Sequence, residues 1–562
     1  MSPNALIECV PNFSEGRDMS VIQKITDEII KVDGVKLLDV DPGKATNRTV
    51  VTFVGHPEAV VVAAFNAIKK AGELIDMSKH SGEHPRMGAT DVCPLIPISG
   101  ISMEETVAYA KKLGEMVGAN TNIPVYLYEE AATKEDRKNL ATIRAGEYEG
   151  LVNKITNPHW APDYGQPVFN PKSGATVIGA RDFLVAYNVN LNTTSVRRAN
   201  SVAFDVRENG RVKVDPVTGK NLTDANGEAL REPGLCKSVK AIGWYIEEYG
   251  IAQISMNLTN IHVTPLHQAF DACVDSAAKR GMRVTGSELV GLVPKKVLVE
   301  AGKYFLKKQG RSLGISEKEI IRIAVKSLGL DELSPFDPDK KIIEYLLEDH
   351  TQKSLVQNTL TEFANETASE SPAPGGGSIS AYVGSLGVSL GVMVANLSAH
   401  KKGWDDKIEY FSDWAEKGQT LKDELLRLVD ADTNAFKEIM DAFSLPKSTD
   451  EEKAQRKQAI HDATKGAIEV PMAVMRTSFE AMSLLLEMVK SGNPNSVTDG
   501  GVGALCCVTA IRGAFMNVKI NCKGFSDVTY VQDVVSEGEK IVQQALMLEE
   551  EIEKIVSSLL DQ

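Results

Sequence analysis

The sequence predicts a multidomain protein, two α/β subdomains followed by an all-α helical bundle, and three observations predict it. At 562 residues the chain is longer than one ordinary core requires, so several domains are expected. A β-α-β-β-α-β order of hydrophobic patterns occurs twice before residue 345. Beyond about residue 350 strand patterns nearly vanish and long helical periodicities take over. The expected divisions are 1–182 and 183–345 for the two ferredoxin-like subdomains, 346–353 for a linker and 354–562 for the bundle.

Residues 5–10 read as a strand, and Val21, Ile22, Ile25 and Ile29 place one apolar stripe on a helix over 18–32. "VKLLDVD" and "TVVTFVG" follow as strands, then a helix over 57–76 and a strand over 91–97. The order returns with "FLVAYNVNL", a helix over 195–208, the strands "KAIGWYIEEYG" and "IAQISMNL" meeting at Gly250, a helix over 264–280 and the strand "MRVTGSELVGLV". Residues 209–235, rich in Gly, Asp, Asn and Pro, read as a surface excursion. After the polar connector "LEDHTQKS", helices are expected over 354–368, 377–399, 405–443, 449–490, 498–518 and 530–560.

A net charge of −14 argues against a general nucleic-acid backbone binder, although a local basic pocket for a small anion is compatible with it. Seven cysteines without metal-ligand spacing suggest neither a zinc site nor a disulfide framework. The start "MSPNALIECVPN" lacks the pattern of a signal peptide, and a cytoplasmic, reducing location is the simplest expectation. Residues 379–397 are uncharged and approach the length of a membrane span. Their serines and glycines, and the lack of a second spanning partner, favour a buried helix that lets neighbours approach closely.

"HSGEHPRMG", residues 80–88, holds more titratable chemistry than a connector needs. Pro85 with Gly82 and Gly88 keeps His84 out of regular structure, where an imidazole accepts and returns protons near neutral pH. The alternative is that His80 and His84 cap the preceding helix. In "LLDVDPG", alternation puts Asp39 and Asp41 on one side of a strand, Asp41 at its end; it either orients a reacting group or starts a turn.

"ECVPNFSEGRD", "LLDVDPGKATNRTVVTFVG", "SGEHPRMGATDVCPLIP" and "RAGEYEGL" closely resemble the glutamate formiminotransferase family. The resemblance continues through "GATVIGARDFLVAYNVNL", "LVGLVPKKVL" and "PFDPDKKIIEYL". It implies His84 as the catalytic acid and base and Asp41 as a helper that holds reacting groups. It also implies folate contacts along Gly165, Gln166, Pro167, Val168, Phe169, Asn170, Pro171, Lys172, Ser173 and Gly174. Guanidinium geometry adds Arg86 as a carboxylate clamp. The implied reaction moves a formimino group from N-formimino-L-glutamate to N5 of tetrahydrofolate.

In the bundle, "SPAPGGGSISAY" places glycines directly ahead of a helix without forming a P-loop. Gly375, Gly376, Gly377 and Ser378 either offer free amides to an anion or form a tight loop leading into a small-residue helix. In "LLRLVDADTNAFKEIM" and the residues after it, Leu425, Val429, Phe436, Ile439 and Phe443 form an apolar stripe that includes Asp432, while Asp430 points away. A carboxylate on such a stripe is costly unless paired, bonded or protonated, which suits either proton transfer or a satisfied structural role.

"APGGGS", "LVDADTNAF" and "GNPNSVTDGGVGA" resemble the formiminotetrahydrofolate cyclodeaminase family, more loosely than the first half resembles its own. The resemblance implies Asp432 as the proton relay in closing 5-formiminotetrahydrofolate to 5,10-methenyltetrahydrofolate with loss of ammonia. Together the halves resemble the fused formiminotransferase-cyclodeaminase family, which implies a homo-oligomer built from dimers and a place at the end of histidine degradation. Tetrahydrofolate is then a co-substrate, no metal is required, and neither nucleic acid nor a membrane span is expected. His400, Lys401 and Lys402 either hold a polyglutamate tail or form a solvated charge run. Two alternatives stand: a folate formyltransferase using N-formylglutamate, and a non-catalytic folate-binding scaffold.

Overall fold

The computed structural model describes residues 5–44, 46–82, 84–224, 227–347 and 353–561. They divide into two compact units. The first runs to Ala301 and resumes at Val325; the second takes Gly302–Ala324 and the chain beyond the connector. Most of the expected linker 346–353 lies outside the described residues.

The first unit opens with β1 (Leu6–Cys9) and β2 (Asn12–Phe13), both paired between β4 (Arg48–Gly55) and β5 (Thr90–Ser99). Between β2 and β4 come α1 (Met19–Ile30), capped by the Asp18 carboxylate, and β3 (Val35–Gly43) at the sheet edge beside β4. Then α2 (Pro57–Leu74) leads to β5, and α3 (Met103–Asn120), opened by a Ser102–Glu105 capping box, leads to β6 (Val125–Glu129). Two short helices, α4 (Leu140–Arg144) and α5 (Glu147–Lys154), precede β7 (Thr176–Ala180), which lies parallel to β5 and β6.

The sequence reading missed β6 and β7. "VYLYE" and "TVIGA" are covered on both faces, so they lack the alternation that identifies a half-exposed strand. Ile7, Cys9, Val51, Phe53, Cys93 and Leu95 face α1, α2 and α3 in a continuous core. Alternation and register therefore put Glu8, Asn12, Arg48, Val50 and Thr52 on the opposite face. Asp39 and Asp41 share that face, because they pair with Thr52 and Val50.

The second sheet is antiparallel in the order β11-β12-β8-β13. Its strands are β8 (Val185–Leu191), β11 (Val239–Ile246), β12 (Ile251–Leu258) and β13 (Val284–Val290). Between β8 and β11 run α6 (Val196–Val206) and a ribbon of β9 (Arg211–Val212) with β10 (Arg231–Glu232), so the expected excursion carries structure of its own. α7 (Leu266–Ala278) joins β12 to β13. Four helices follow: α8 (Lys295–Lys308), α9 (Glu317–Leu328), α10 (Pro338–Lys341) and α11 (Ile343–Leu347).

The second unit is helical: α12 (Leu360–Thr367), α13 (Gly376–Ala399), α14 (Ile408–Ser444), α15 (Asp450–Ser491), α16 (Val497–Asn521) and α17 (Val528–Leu560). Residues 302–324, expected in the second α/β subdomain, pack here instead. The Leu313 amide donates to Ser412 Oγ at 2.9 Å, and Asn396 Nδ2 donates to Gly314 O at 2.7 Å.

α13 packs against α14, α15 and α16. Glycine lets it approach α16 closely, since a methyl on Gly387 would stand 2.6 Å from Gly503 O. A second helix of spanning length and hydropathy does exist, Pro494–Asn521, which corrects the expectation of none. Each of the two is at least half buried in the bundle. The stripe on α14 needs a second correction: Leu425 and Val429 are buried, but Phe436 is 43% and Phe443 51% exposed. At 1.5 Å per residue α14 spans about 55 Å and α13 about 36 Å, so α14 outruns the helix that covers it.

Candidate active sites

In the first unit the segment after α2 is pinned to the β3–β4 turn. His80 Nε2 donates to Asn47 O at 2.8 Å, and Asn47 Nδ2 donates to Ser81 O at 3.0 Å. His80 Nδ1 then accepts from Arg86 Nε at 3.3 Å, so His80 is a brace.

His84, half-buried, stands against charge. Its Nδ1 lies 2.7 Å from Pro85 O and 3.2 Å from Arg48 Nη1. The Pro85 carbonyl accepts only and the Arg48 guanidinium donates only, so the two compete for Nδ1; the shorter 2.7 Å contact favours the proton on Nδ1, which leaves the Nε2 lone pair for a general base. Burial first, then the Arg48 charge, push the imidazole down to about 4, with Arg144 adding to the effect.

Arg48 also donates to Asn12 Oδ1 at 3.0 Å and to Asp91. Arg144 reaches the same carboxylate, and the Met87 amide donates to it at 3.0 Å. Burial works to raise the Asp91 carboxyl, but the two guanidiniums hold it below its ordinary value. Two cations sharing one anion leave a net positive charge beside His84, a setting for an anionic substrate. Sequence reasoning singled out none of Arg48, Asp91 and Arg144. The available signal was Asp91 opening the apolar run "DVCPLIP", a charge that burial obliges to be paired.

Arg86, expected as a carboxylate clamp, already holds carboxylates of the protein itself. Its guanidinium donates to Glu149 at 2.7 and 2.9 Å and to Glu147 at 2.9 Å, which ties it to the start of α5. Asp41 is exposed on the edge strand β3, sharing a face with Arg48 as the register requires, and no hydrogen bond to its carboxylate occurs among the described residues. Its negative charge helps burial raise Asp39 above the ordinary carboxylate value.

The Gly165–Gly174 stretch is a loop whose end is laid against the His84 segment. Gly174 bridges Gly88, the Ala89 amide donates to Ser173 O at 2.8 Å, and Gly174 takes a φ of +65°. Asn170 Oδ1 accepts from the amides of Lys172 and Ser173, and Asn170 Nδ2 donates to Asn122 O. Phe169 packs on Tyr148 with ring centres 5.5 Å apart, whereas Val168 is 65% exposed. Gly165, Gln166 and Pro167 are exposed; Pro171 O accepts from the Tyr148 hydroxyl at 2.6 Å.

One consequence is a pH profile. A general-base role for His84 requires a neutral imidazole in the free site, so with His84 in that role kcat/KM for transfer should rise through about pH 4, far below an ordinary histidine, and stay level toward neutrality. The two carboxylates of a bound donor offset the Arg48 and Arg144 charges, so the acid limb of kcat should lie at higher pH than that of kcat/KM. Coincident limbs near pH 6.5, the ordinary histidine value, would contradict this electrostatic account.

In the second unit the glycine loop and the aspartate meet. Asp432 Oδ2 accepts from the Ser378 amide at 2.9 Å and the Ser378 hydroxyl at 3.1 Å. An anion at the start of α13 is therefore the protein's own carboxylate, which engages both the amide and the hydroxyl of Ser378. Burial raises the Asp432 carboxyl above its ordinary value, and the two Ser378 hydrogen bonds oppose this. Asp430 instead accepts from the Leu355 amide at 2.6 Å.

A methyl on Gly377 would lie 2.1 Å from Asp432 Oδ1. Gly377→Ala should therefore displace the carboxylate and lower ring closure on the order of 100-fold with Asp432 chemically intact. Steady-state ammonia release measures it, and a variant within twofold of wild type would show that the close approach is dispensable. Gly375 and Gly376 make no contact with Asp432 closer than 4 Å at their Cβ positions.

Comparison with known proteins matches both parts of the chain. Residues 6–181 match the family model "Formiminotransferase domain, N-terminal subdomain", residues 186–348 match "Formiminotransferase domain", and residues 359–540 match "Formiminotransferase-cyclodeaminase". The chain is 43% identical over 541 residues to the formimidoyltransferase-cyclodeaminase of Gallus gallus, covering 96% of each chain. It is 41% identical over 558 residues to that of Dictyostelium discoideum, covering 99% of each. Its first part is 42% identical over 323 residues to the glutamate formimidoyltransferase of Thermoplasma acidophilum, which covers 57% of this chain and 99% of that one. Through family models over both parts and relatives over nearly its whole length, this chain belongs to the formimidoyltransferase-cyclodeaminase family.

Proposed function

We propose that the chain catalyses two successive steps: formimino transfer from N-formimino-L-glutamate to tetrahydrofolate, then ring closure to 5,10-methenyltetrahydrofolate with release of ammonia. The observation that carries this is similarity over nearly the whole chain to bifunctional relatives, with a reactive constellation in each matched part. In the first step N5 attacks the amidine carbon, and His84 Nε2 takes its proton. The C–N bond to glutamate then breaks, and the imidazolium, acidic in this setting, returns the proton to the leaving nitrogen. Arg48 and Arg144 face the donor's carboxylates, Asp41 steadies the reacting groups, and the Gly165–Gly174 loop holds the folate.

In the second step N10 attacks the formimino carbon, the new C–N10 bond closes the ring, and the bond to the amino nitrogen breaks. Asp432 carries the N10 proton to the departing ammonia; its raised pKa suits both halves of that relay. Mixing the purified protein with formiminoglutamate and tetrahydrofolate, and following methenyl absorbance and ammonia together, tests the whole reading. Product from N-formylglutamate instead would favour the formyltransferase alternative, and no turnover with either donor would favour the scaffold.

The finer fold reading is that each sheet is a ferredoxin-like unit. The orders β3-β4-β1-β5 and β11-β12-β8-β13, each with its first strand between third and fourth, support it. A cytoplasmic site accords with seven free cysteines; fractionation of the native cells checks it. Association into homo-oligomers accords with Leu386, Met393 and Leu397 exposed along α13 beside Val502 and Leu505 of α16, and a monomer in sedimentation would dismiss it.

A polyglutamate tail would meet the far end of α13. There Lys401 and Lys407 lie over the Trp404 ring at 4.1 and 4.4 Å, and His400 Nε2 accepts from the Ser312 amide at 3.4 Å. Turnover whose dependence on tail length survives alanine at Lys401 and Lys402 would remove that role.

A further inference from the structure

We propose that Asn517 makes the second site selective for an imino over an oxo group on the one-carbon unit. The proposal rests on the ring-closing reading of that site and names the residue that decides which substituent it accepts. Two adjacent glycines in the first turn of α13 are flanked by different side chains. A methyl on Gly377 would meet Asp432 Oδ1 at 2.1 Å, while one on Gly376 would meet Asn517 Nδ2 at 3.3 Å and Oδ1 at 3.6 Å. The carboxylate and the amide thus stand beside neighbouring residues of one helical turn, one supplied by α14 and the other by α16.

Asn517 is half-buried on a helix whose neighbouring positions Ala514, Phe515 and Val518 are buried and apolar. One N–H of its amide is taken by Gly513 O at 3.0 Å. Its Oδ1 accepts no hydrogen bond among the described residues. Among the described residues, burial and Ser378 are the influences on Asp432, and its hydrogen bonds come from Ser378. Asp432 and the Asn517 carbonyl are thus two side chains at this end of α13 with acceptor capacity to spare.

That pairing fits one substituent and opposes its near-isostere. The nitrogen of a formimino group carries N–H at every stage, and it gains protons as ammonia departs, so it donates both to Asn517 Oδ1 and toward Asp432. A formyl oxygen has no hydrogen to give to Oδ1 or to the Asp432 carboxylate, so at Asn517 it can pair only with the one N–H that Gly513 leaves over. No bond is made or broken at Asn517; it orients the nitrogen so that N10 attack and ammonia loss occur beside the carboxylate.

The test supplies preformed 5-formiminotetrahydrofolate to wild type, Asn517→Ala and Asn517→Asp, and measures kcat/KM for methenyl formation and inhibition by 5-formyltetrahydrofolate. Asn517→Ala should lower kcat/KM for the imino substrate about 10- to 100-fold, the worth of one hydrogen bond to a cationic donor. Inhibition by the formyl compound should stay equal or become tighter. Asn517→Asp, which keeps an acceptor oxygen, should retain the imino preference. Parallel weakening of both compounds in Asn517→Ala would mark a merely structural residue and overturn the proposal, as would no change in either. If wild type yields neither methenyl product nor ammonia, the ring-closing reading fails and takes this proposal with it. Formimino transfer at the first site, measured on each variant, verifies that the protein is folded.

Discussion

His84→Ala should lower formimino transfer on the order of 100- to 10,000-fold, the range expected when a positioned acid and base is removed. Nε2 bears the only lone pair of the ring, and no second imidazole replaces it, since His80 is engaged at both nitrogens by Asn47 O and Arg86 Nε. The side chain is half-buried and braces no core element, so the fold should persist. Stopped assays for glutamate release measure the effect, and ring closure of supplied 5-formiminotetrahydrofolate by the same variant shows that the protein is intact. Transfer within tenfold of wild type would transfer the acid and base role to another group.

Asp432→Asn should have the complementary effect, with transfer retained and methenyl formation reduced by a similar 100- to 10,000-fold. The amide is isosteric, and its oxygen still accepts from the Ser378 amide and hydroxyl, so the first turn of α13 keeps its partner. What is lost is a group able to hold and release a proton. The intermediate, 5-formiminotetrahydrofolate, should accumulate and be recoverable with wild-type protein. Ring closure at the wild-type rate would leave Asp432 as a structural cap for α13.

Both candidate side chains, His84 and Asp432, were legible in short motifs, because each motif keeps its chemistry within a few residues. Their neighbours were not. Arg86 has the guanidinium a carboxylate clamp needs, yet its partners Glu147 and Glu149 lie 61 and 63 residues away and are the protein's own. The glycine loop before α13 reads as either an anion site or a tight entry loop, and the Ser378 amide that follows it meets the protein's own Asp432, 54 residues further on. Arg48, Asp91 and Arg144 come from three separate segments, and their net charge exists only once β4, β5 and α4 are assembled.

Patterning along the chain sufficed for the order of the half-exposed strands and for the change from sheet to helix near residue 350, and it marked out the imidazole and the carboxylate as candidates. Periodicity is a property of near neighbours, and so is a motif. Depth of burial, the direction in which each proton affinity moves, and whether a polar group is free or already satisfied were decided only by tertiary structure. Phe436 and Phe443 show why: the period of α14 is correct to its end, but whether a residue on that stripe is covered depends on where another helix stops. These quantities depend on distance through space, and only folding brings the residues that determine them together.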